Sequence, residues 1–226
     1  MTCVNPMSDA LGRSAIFRAL SPAQTGGVGA FVLVLVGLVS SFPVLAEDQF
    51  SREAVLRFNT VCAHCHEGQC SGRLSFALGP EATYNHIRRF TGDVPDAQAL
   101  ELNEVLGYMK RHCAYAPLAP VAKTALSGGE LQGFRDSFSG NYFLPLGRLH
   151  VGDYELYLEL AKPQAIRVEI IADDFEPLVD ECRGPAADGV EIRVRLEERT
   201  SLFLRVRSPN GLLLEQIRLS PQQESQ

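Results

Sequence analysis

Cys62-Ala63-His64-Cys65-His66 sets two thiols three positions apart, with an imidazole directly after the second. One helical turn brings both thiols to one side. There they can add across the two vinyl groups of a single porphyrin, while the next residue reaches the iron from the same side. With six Cys and five His in 226 residues, about 0.003 such matches arise by chance. Two other chemistries use paired thiols. Zinc needs a second pair of ligands at matching spacing, and none follows. A disulfide-exchanging pair expects a strand before it, whereas residues 52–61 read as a helix. The pattern is therefore read as the attachment site of one covalent heme c, with Cys62 and Cys65 forming the thioethers and His66 the proximal iron ligand.

Helices must position these groups. Ser51 is a plausible N-cap, and Arg52 to Val61 carries Val55, Phe58 and Cys62 on one face. A second helix is expected from Glu81 to Phe90. A third runs from Asp96 to about His112, with Leu102, Val105, Leu106 and Met109 at i, i+3, i+4 and i+7. Helices bracketing the motif in this way resemble the class I c-type cytochromes. Phe58 matches that family's aromatic four residues before the first Cys, and Ala54 its small residue eight before. Leu78-Gly79-Pro80 is similar to its Gly-Pro step. The resemblance implies a small all-α domain over residues 47–116, in which the Pro80 carbonyl orients His66.

The same resemblance places a Met ligand just before the last helix, and here the stretch reads Thr91-Gly92-Asp93-Val94-Pro95. Valine has no lone pair to offer. Four substitutes stand open. His86 on the second helix would give bis-His ligation, which lowers the reduction potential relative to His/Met. Met109 lies on an apolar stripe where Met usually fills the core. His112 sits near a helix C-terminus, where its charge suits the dipole. The last option is an iron with no sixth protein ligand. His86 is preferred, and His64 is expected to point outward.

Arg13 and Arg18 precede an uncharged apolar run from Val28 to Ser40, then Pro43 and Val44-Leu45-Ala46. These are the parts of a secretory signal over residues 1–46, or of an uncleaved anchor. The chain is then periplasmic or otherwise exported, with membrane attachment only if the segment is kept. Charge is −6, with 21 Lys+Arg against 27 Asp+Glu, which argues against nucleic acid as a partner. Cys70, Cys113 and Cys182 remain outside the motif and the leader. In an exported protein they imply one disulfide and one leftover thiol. A Cys70–Cys113 bridge would staple the heme domain and is preferred. Cys113–Cys182 would tie the two halves together.

Residues 117–137 read as a linker with one helical turn. After Phe138 the period becomes two: Tyr154 to Leu160, Ile166 to Ile170, Ile192 to Leu196, Phe203 to Val206 and Leu212 to Leu219. Alternating runs between Gly, Pro and Asp turns argue for an antiparallel β-sandwich over residues 138–220, followed by a short tail, 221–226. Gly147-x-Leu149, Gly152-Asp153-Tyr154 and Asp174-Phe175-x-Pro177 are similar to bacterial pre-peptidase C-terminal domains. Arg167, Arg193, Arg195, Arg205 and Arg207 are read as a solvated face. Asp173, Asp174, Asp180 and Glu181 lack a calcium-loop spacing. No hydrolytic constellation is present.

The fold class expected is α+β in two domains: a small all-α cytochrome c-like unit, then an antiparallel β-sandwich. The function expected is electron transfer by an exported monoheme protein acting with redox protein partners, more an electron carrier than an enzyme. The alternatives are a heme-based small-ligand sensor with an open distal side, and a non-catalytic subunit that docks a redox complex through its sandwich.

Overall fold

The computed structural model describes residues 49–67, 79–119, 121, 124–186 and 189–222. The expected leader and Cys70 lie outside the described residues. Among those described, no helix is long and apolar enough to cross a membrane.

Helix α1 spans Arg52–Arg57, and the Ser51 hydroxyl caps it by accepting from the Ala54 amide at 3.2 Å. The chain widens through a π-turn at Phe58–Cys62 and then tightens through a 3₁₀ turn at Ala63–Cys65, so the attachment motif follows a helix. Helix α2 is Glu81–Thr91 and α3 is Asp96–His112. Gly92 ends α2 at φ +78°, and a Cβ there would meet the Phe138 ring at 2.9 Å, so only glycine fits. Ala54, Val55 and Phe58 of the first helical segment share an apolar cluster with Leu102, Val105 and Met109 of α3. The stripe read from the sequence is thus the face that α3 buries.

Eight antiparallel strands follow: β1 Ala125–Ser127, β2 Tyr142–Leu149, β3 Gly152–Leu160, β4 Ile166–Ala172, β5 Pro177–Arg183, β6 Val190–Leu196, β7 Thr200–Arg207 and β8 Leu214–Pro221. One sheet has the order β1-β8-β3-β6 and the other β2-β7-β4-β5, so the two sheets form a β-sandwich. A core between them gathers Leu156, Leu158, Ile166, Ile170, Leu202 and Leu204, all fully buried. The expected linker is not free of structure. It supplies β1 and the short helix α4 (Gly129–Gln132), and Leu126, Leu131 and Phe134 enter the sandwich core. Three residues alternating exposed, buried, exposed are too few for a periodicity to register.

At its centre, over the first half of β2, β7 and β4, the second sheet is buried on both faces. On β7, Leu202, Leu204 and Val206 point into the sandwich, while Phe203, Arg205 and Arg207 alternate with them on the other side. That other side is covered by the helices, for Phe143, Ile171 and Phe175 belong to the same apolar cluster as α1 and α3. Tyr115, just past α3, has its ring 4.5–5.0 Å from those of Phe143, Phe175 and Phe203. The architecture is therefore three layers, helix on sheet on sheet, and the described residues belong to one compact unit. Arg205, read as solvated, is 0 % exposed. Arg193 and Arg195 on the first sheet remain exposed, as expected.

Candidate heme site

The π-turn and the 3₁₀ turn carry Cys62, Cys65 and His66 into the wall of a cavity of about 340 Å³. The opposite wall is α2, with Thr83, His86 and Phe90, and α3 contributes Leu102, Asn103 and Leu106. The lining is mainly apolar with a few polar groups, as in sites that bury a large planar cofactor. Both thiols and the following imidazole thus face one space, as the sequence pattern demands.

His86 stands across from His66. Their ring centroids are 6.3 Å apart and the ring planes are inclined at 73°. One metal ion bridging two imidazoles requires a metal–nitrogen bond of ~2.0 Å on each side and about 1.1 Å from each nitrogen to its ring centre, roughly 6.2 Å in all. By this spacing His66 and His86 are the two imidazoles that would hold one iron. The Phe90 ring lies 5.1 Å from that of His86, on the same face of α2.

The other candidates sit elsewhere. Met109 is 2 % exposed, packed in the apolar cluster, and does not line the cavity. His112 is exposed at the end of α3 and lies against Tyr108 at 4.3 Å. Val94 is buried; its carbonyl accepts from Arg88 Nε at 3.0 Å. Pro80 begins α2, and its carbonyl accepts from the Thr83 amide at 2.9 Å and the Thr83 hydroxyl at 2.6 Å. Thr83 in turn accepts from Asn103 Nδ2 at 3.1 Å, which ties α2 to α3 at the cavity wall.

Burial, reinforced by the neighbouring Cys65, pushes the Cys62 thiol up to about 12. A disulfide-exchanging thiol needs the opposite shift, toward the thiolate. Cys62 and Cys65 are both free thiols. Cys113 and Cys182 are both disulfide-bonded, so Cys182 is not left over, as the preferred Cys70–Cys113 pairing would have left it. Among the described residues no group of three or more His, Cys, Asp or Glu is placed to hold a bare metal ion. The acidic residues between β4 and β5 are spent on local bonds: Asp173 accepts from Thr200 and Ser201, and Asp174 from the Glu176 amide.

The sequence reading missed what lies beneath the motif. Strand register sets Phe143, Arg205, Glu169 and Asp180 side by side across the covered face of the second sheet. Glu67, the residue after His66, pairs with Arg205, and Arg205 Nη1 lies 3.5 Å from Glu169 Oε1. The Tyr115 hydroxyl donates to Glu67 Oε1 at 2.6 Å, and burial drives its pKa upward, so it stays a donor. His64, expected to point outward, has Nδ1 3.4 Å from Glu169 Oε1. Asp136, wholly buried, holds the opposite end: Arg57 Nε lies 3.4 Å away, and Ser139 donates to it from both amide and hydroxyl. The motif is thereby seated on the sandwich by charge-assisted bonds. Charged residues alternating with apolar ones were the available signal, but the sequence does not say which face another layer will cover.

No protein-family model matches the chain, and no curated protein matches it in sequence. Among solved structures, a GH115 4-O-methyl-alpha-glucuronidase with specificity for decorated arabinogalactans is similar at 15 % identity and a TM-score of 0.30. That match covers 63 % of this chain and 25 % of the other, so the chain spans about a quarter of that enzyme.

Proposed function

We propose that the chain is a monoheme c-type cytochrome that carries electrons, with Cys62 and Cys65 holding the heme and His66 and His86 as its axial ligands. The observation that carries this reading is the pair of imidazoles whose ring centres lie 6.3 Å apart in the lining of a cavity that both motif thiols also line. In this reading α1 to α3 form the cytochrome c-like unit that the sequence resembles, and the sixth position passes from the family's Met to His86.

Heme iron supplies one-electron chemistry when bound. The protein's part is to fix and shield it. His66 is held by its turn, and the His66 amide donates to the Ala63 carbonyl at 2.7 Å. His86 is carried on α2, whose first turn is tied to α3 through Thr83 and Asn103. Phe58, Ile87, Leu102 and Leu106 give the cavity an apolar lining. Ligands carried on a turn and a helix that are themselves hydrogen-bonded in place would favour transfer with little rearrangement between oxidation states. The sandwich serves as the base on which the motif rests, through Glu67, Arg205 and Glu169. Export, implied by the leader, is where c-type heme is attached.

The test is electron paramagnetic resonance of the oxidised protein, matured in a host that attaches c-type heme. A low-spin signal typical of two imidazole ligands supports the reading, and a high-spin signal counts against His86.

A further inference from the structure

A second pocket, of about 690 Å³, lies beside the heme cavity and shares Val61 and Phe90 with it. Its floor is the next register row of the second sheet, where Arg207, Arg167 and Cys182 are neighbours on β7, β4 and β5. Phe138, Asn141 and Pro209 close the sides. Like charges directly opposite on adjacent strands repel, and Arg167 and Arg207 stand directly opposite.

The nearby carboxylates only partly offset this. Asp180 takes Arg167 through two bonds, at 2.6 and 2.5 Å. Glu169 Oε2 lies 2.8 Å from Arg207 Nη2, but Glu169 also serves Arg205 and His64. Among the described residues no carboxylate lines the pocket itself. Arg207 Nε is buried there with no hydrogen-bond partner among them. A buried cationic donor left unpaired is costly, and an anion that accepts from it removes that cost. The apolar walls at Val61, Phe90 and Phe138 suit the body of an organic acid better than a small hydrated ion.

We propose that this pocket is a carboxylate-binding site in which Arg207 is the pairing cation and Arg167 supports it. The carboxylate has two possible sources. One is the porphyrin's own acid arms, reaching past Val61 and Phe90, and this source rests on the heme reading above. The other is a free organic acid held next to the heme, which does not depend on it.

The experiment uses the full-length heme-loaded protein, with heme content measured on every sample so that a failure of heme attachment is recognised separately. Benzoate is titrated by calorimetry into the wild type, Arg207→Gln and Arg207→Lys, and the midpoint potential of each is followed against pH. Benzoate binding that weakens at least about tenfold in Arg207→Gln and survives in Arg207→Lys identifies a free-acid site. No benzoate binding, together with a potential–pH profile altered in Arg207→Gln and kept in Arg207→Lys, identifies the porphyrin's own carboxylates. Neither binding nor an altered profile overturns the proposal. Asn210→Trp fills the pocket from an exposed loop without touching the ion network. It is expected to abolish benzoate binding, so the free-acid arm does not hang on how Arg207→Gln folds.

Discussion

Arg205, on an inner strand of the second sheet and 0 % exposed, pairs with Glu67, the residue that directly follows His66 of the motif. A buried guanidinium is tolerated only when fully compensated. Burial is the largest single effect on Arg205 and opposes its charge, but Glu67 and Glu169 together outweigh it, and the Arg205 pKa is raised. The pairing means that the covered face of the sandwich is shaped for this motif and not for solvent.

Removing Arg205 should be expensive. Arg205→Gln leaves Glu67 and Glu169 facing each other in a buried setting, and about 3–5 kcal/mol of stability should be lost. Arg205→Met combined with Glu67→Gln should cost less than the single change, because fewer charges are stranded. Denaturant unfolding of the two variants checks this; equal losses would mean that Glu67 and Arg205 are not energetically coupled.

The two motif thiols make a chemical prediction. Cys62→Ser with Cys65→Ser should yield a protein whose heme, if any is retained, is extracted by acidified acetone, while the wild type keeps its heme. Covalent retention in the double variant would refute the thioether assignment.

His86→Ala removes the second imidazole and leaves Cys62, Cys65 and His66 untouched. The heme should remain bound, but its spectrum should change from low-spin to high-spin, and added imidazole should restore the low-spin form. A Met109→Leu variant should keep the wild-type spectrum, since Met109 lies in the apolar cluster away from the cavity.

Acid should weaken the sandwich through Asp180. Its bond to Arg167 holds the Asp180 carboxyl below its ordinary value of 3.8. A depressed carboxyl stabilises the fold above the pKa of the unfolded chain, and that contribution fades as pH falls through the folded value. The pair is about a third exposed, so the contribution is at most about 1 kcal/mol. Asp180→Asn should therefore be less stable than wild type at pH 7, and the gap should close as pH falls below 3.8 and through the depressed folded value of this carboxyl. Thermal unfolding across that range checks it; a gap that persists at low pH would assign the effect to packing.

Local signals in the chain were strong where one element decides its own fate. The Ser51 cap, the α3 stripe from Leu102 to Met109 and the alternation in β3, β6 and β8 are all visible in the residues and all present in the structure. Strand β2 carries Pro145 and Gly147 with a register shift between them, and its first half is buried throughout, so it offers no alternation to read. Strand β5 buries only Val179, so it too offers no alternation to read. Arg205 and Arg207 follow the same alternation as solvent-facing residues. Only the arrival of helices from the other half of the chain buries them. His64 was misread for the same reason, because its partner Glu169 lies more than a hundred residues away. The Cys62-Ala63-His64-Cys65-His66 pattern, by contrast, is contiguous, so it can be read from the sequence without knowing the fold.

The most direct test of the central claim is the absorption spectrum of the dithionite-reduced protein before and after carbon monoxide. With His66 and His86 both on the iron, the account predicts a low-spin c-type spectrum that carbon monoxide leaves unchanged. A prompt carbon monoxide adduct would mean that the side facing His86 is open, and a protein matured without heme would contradict the account altogether.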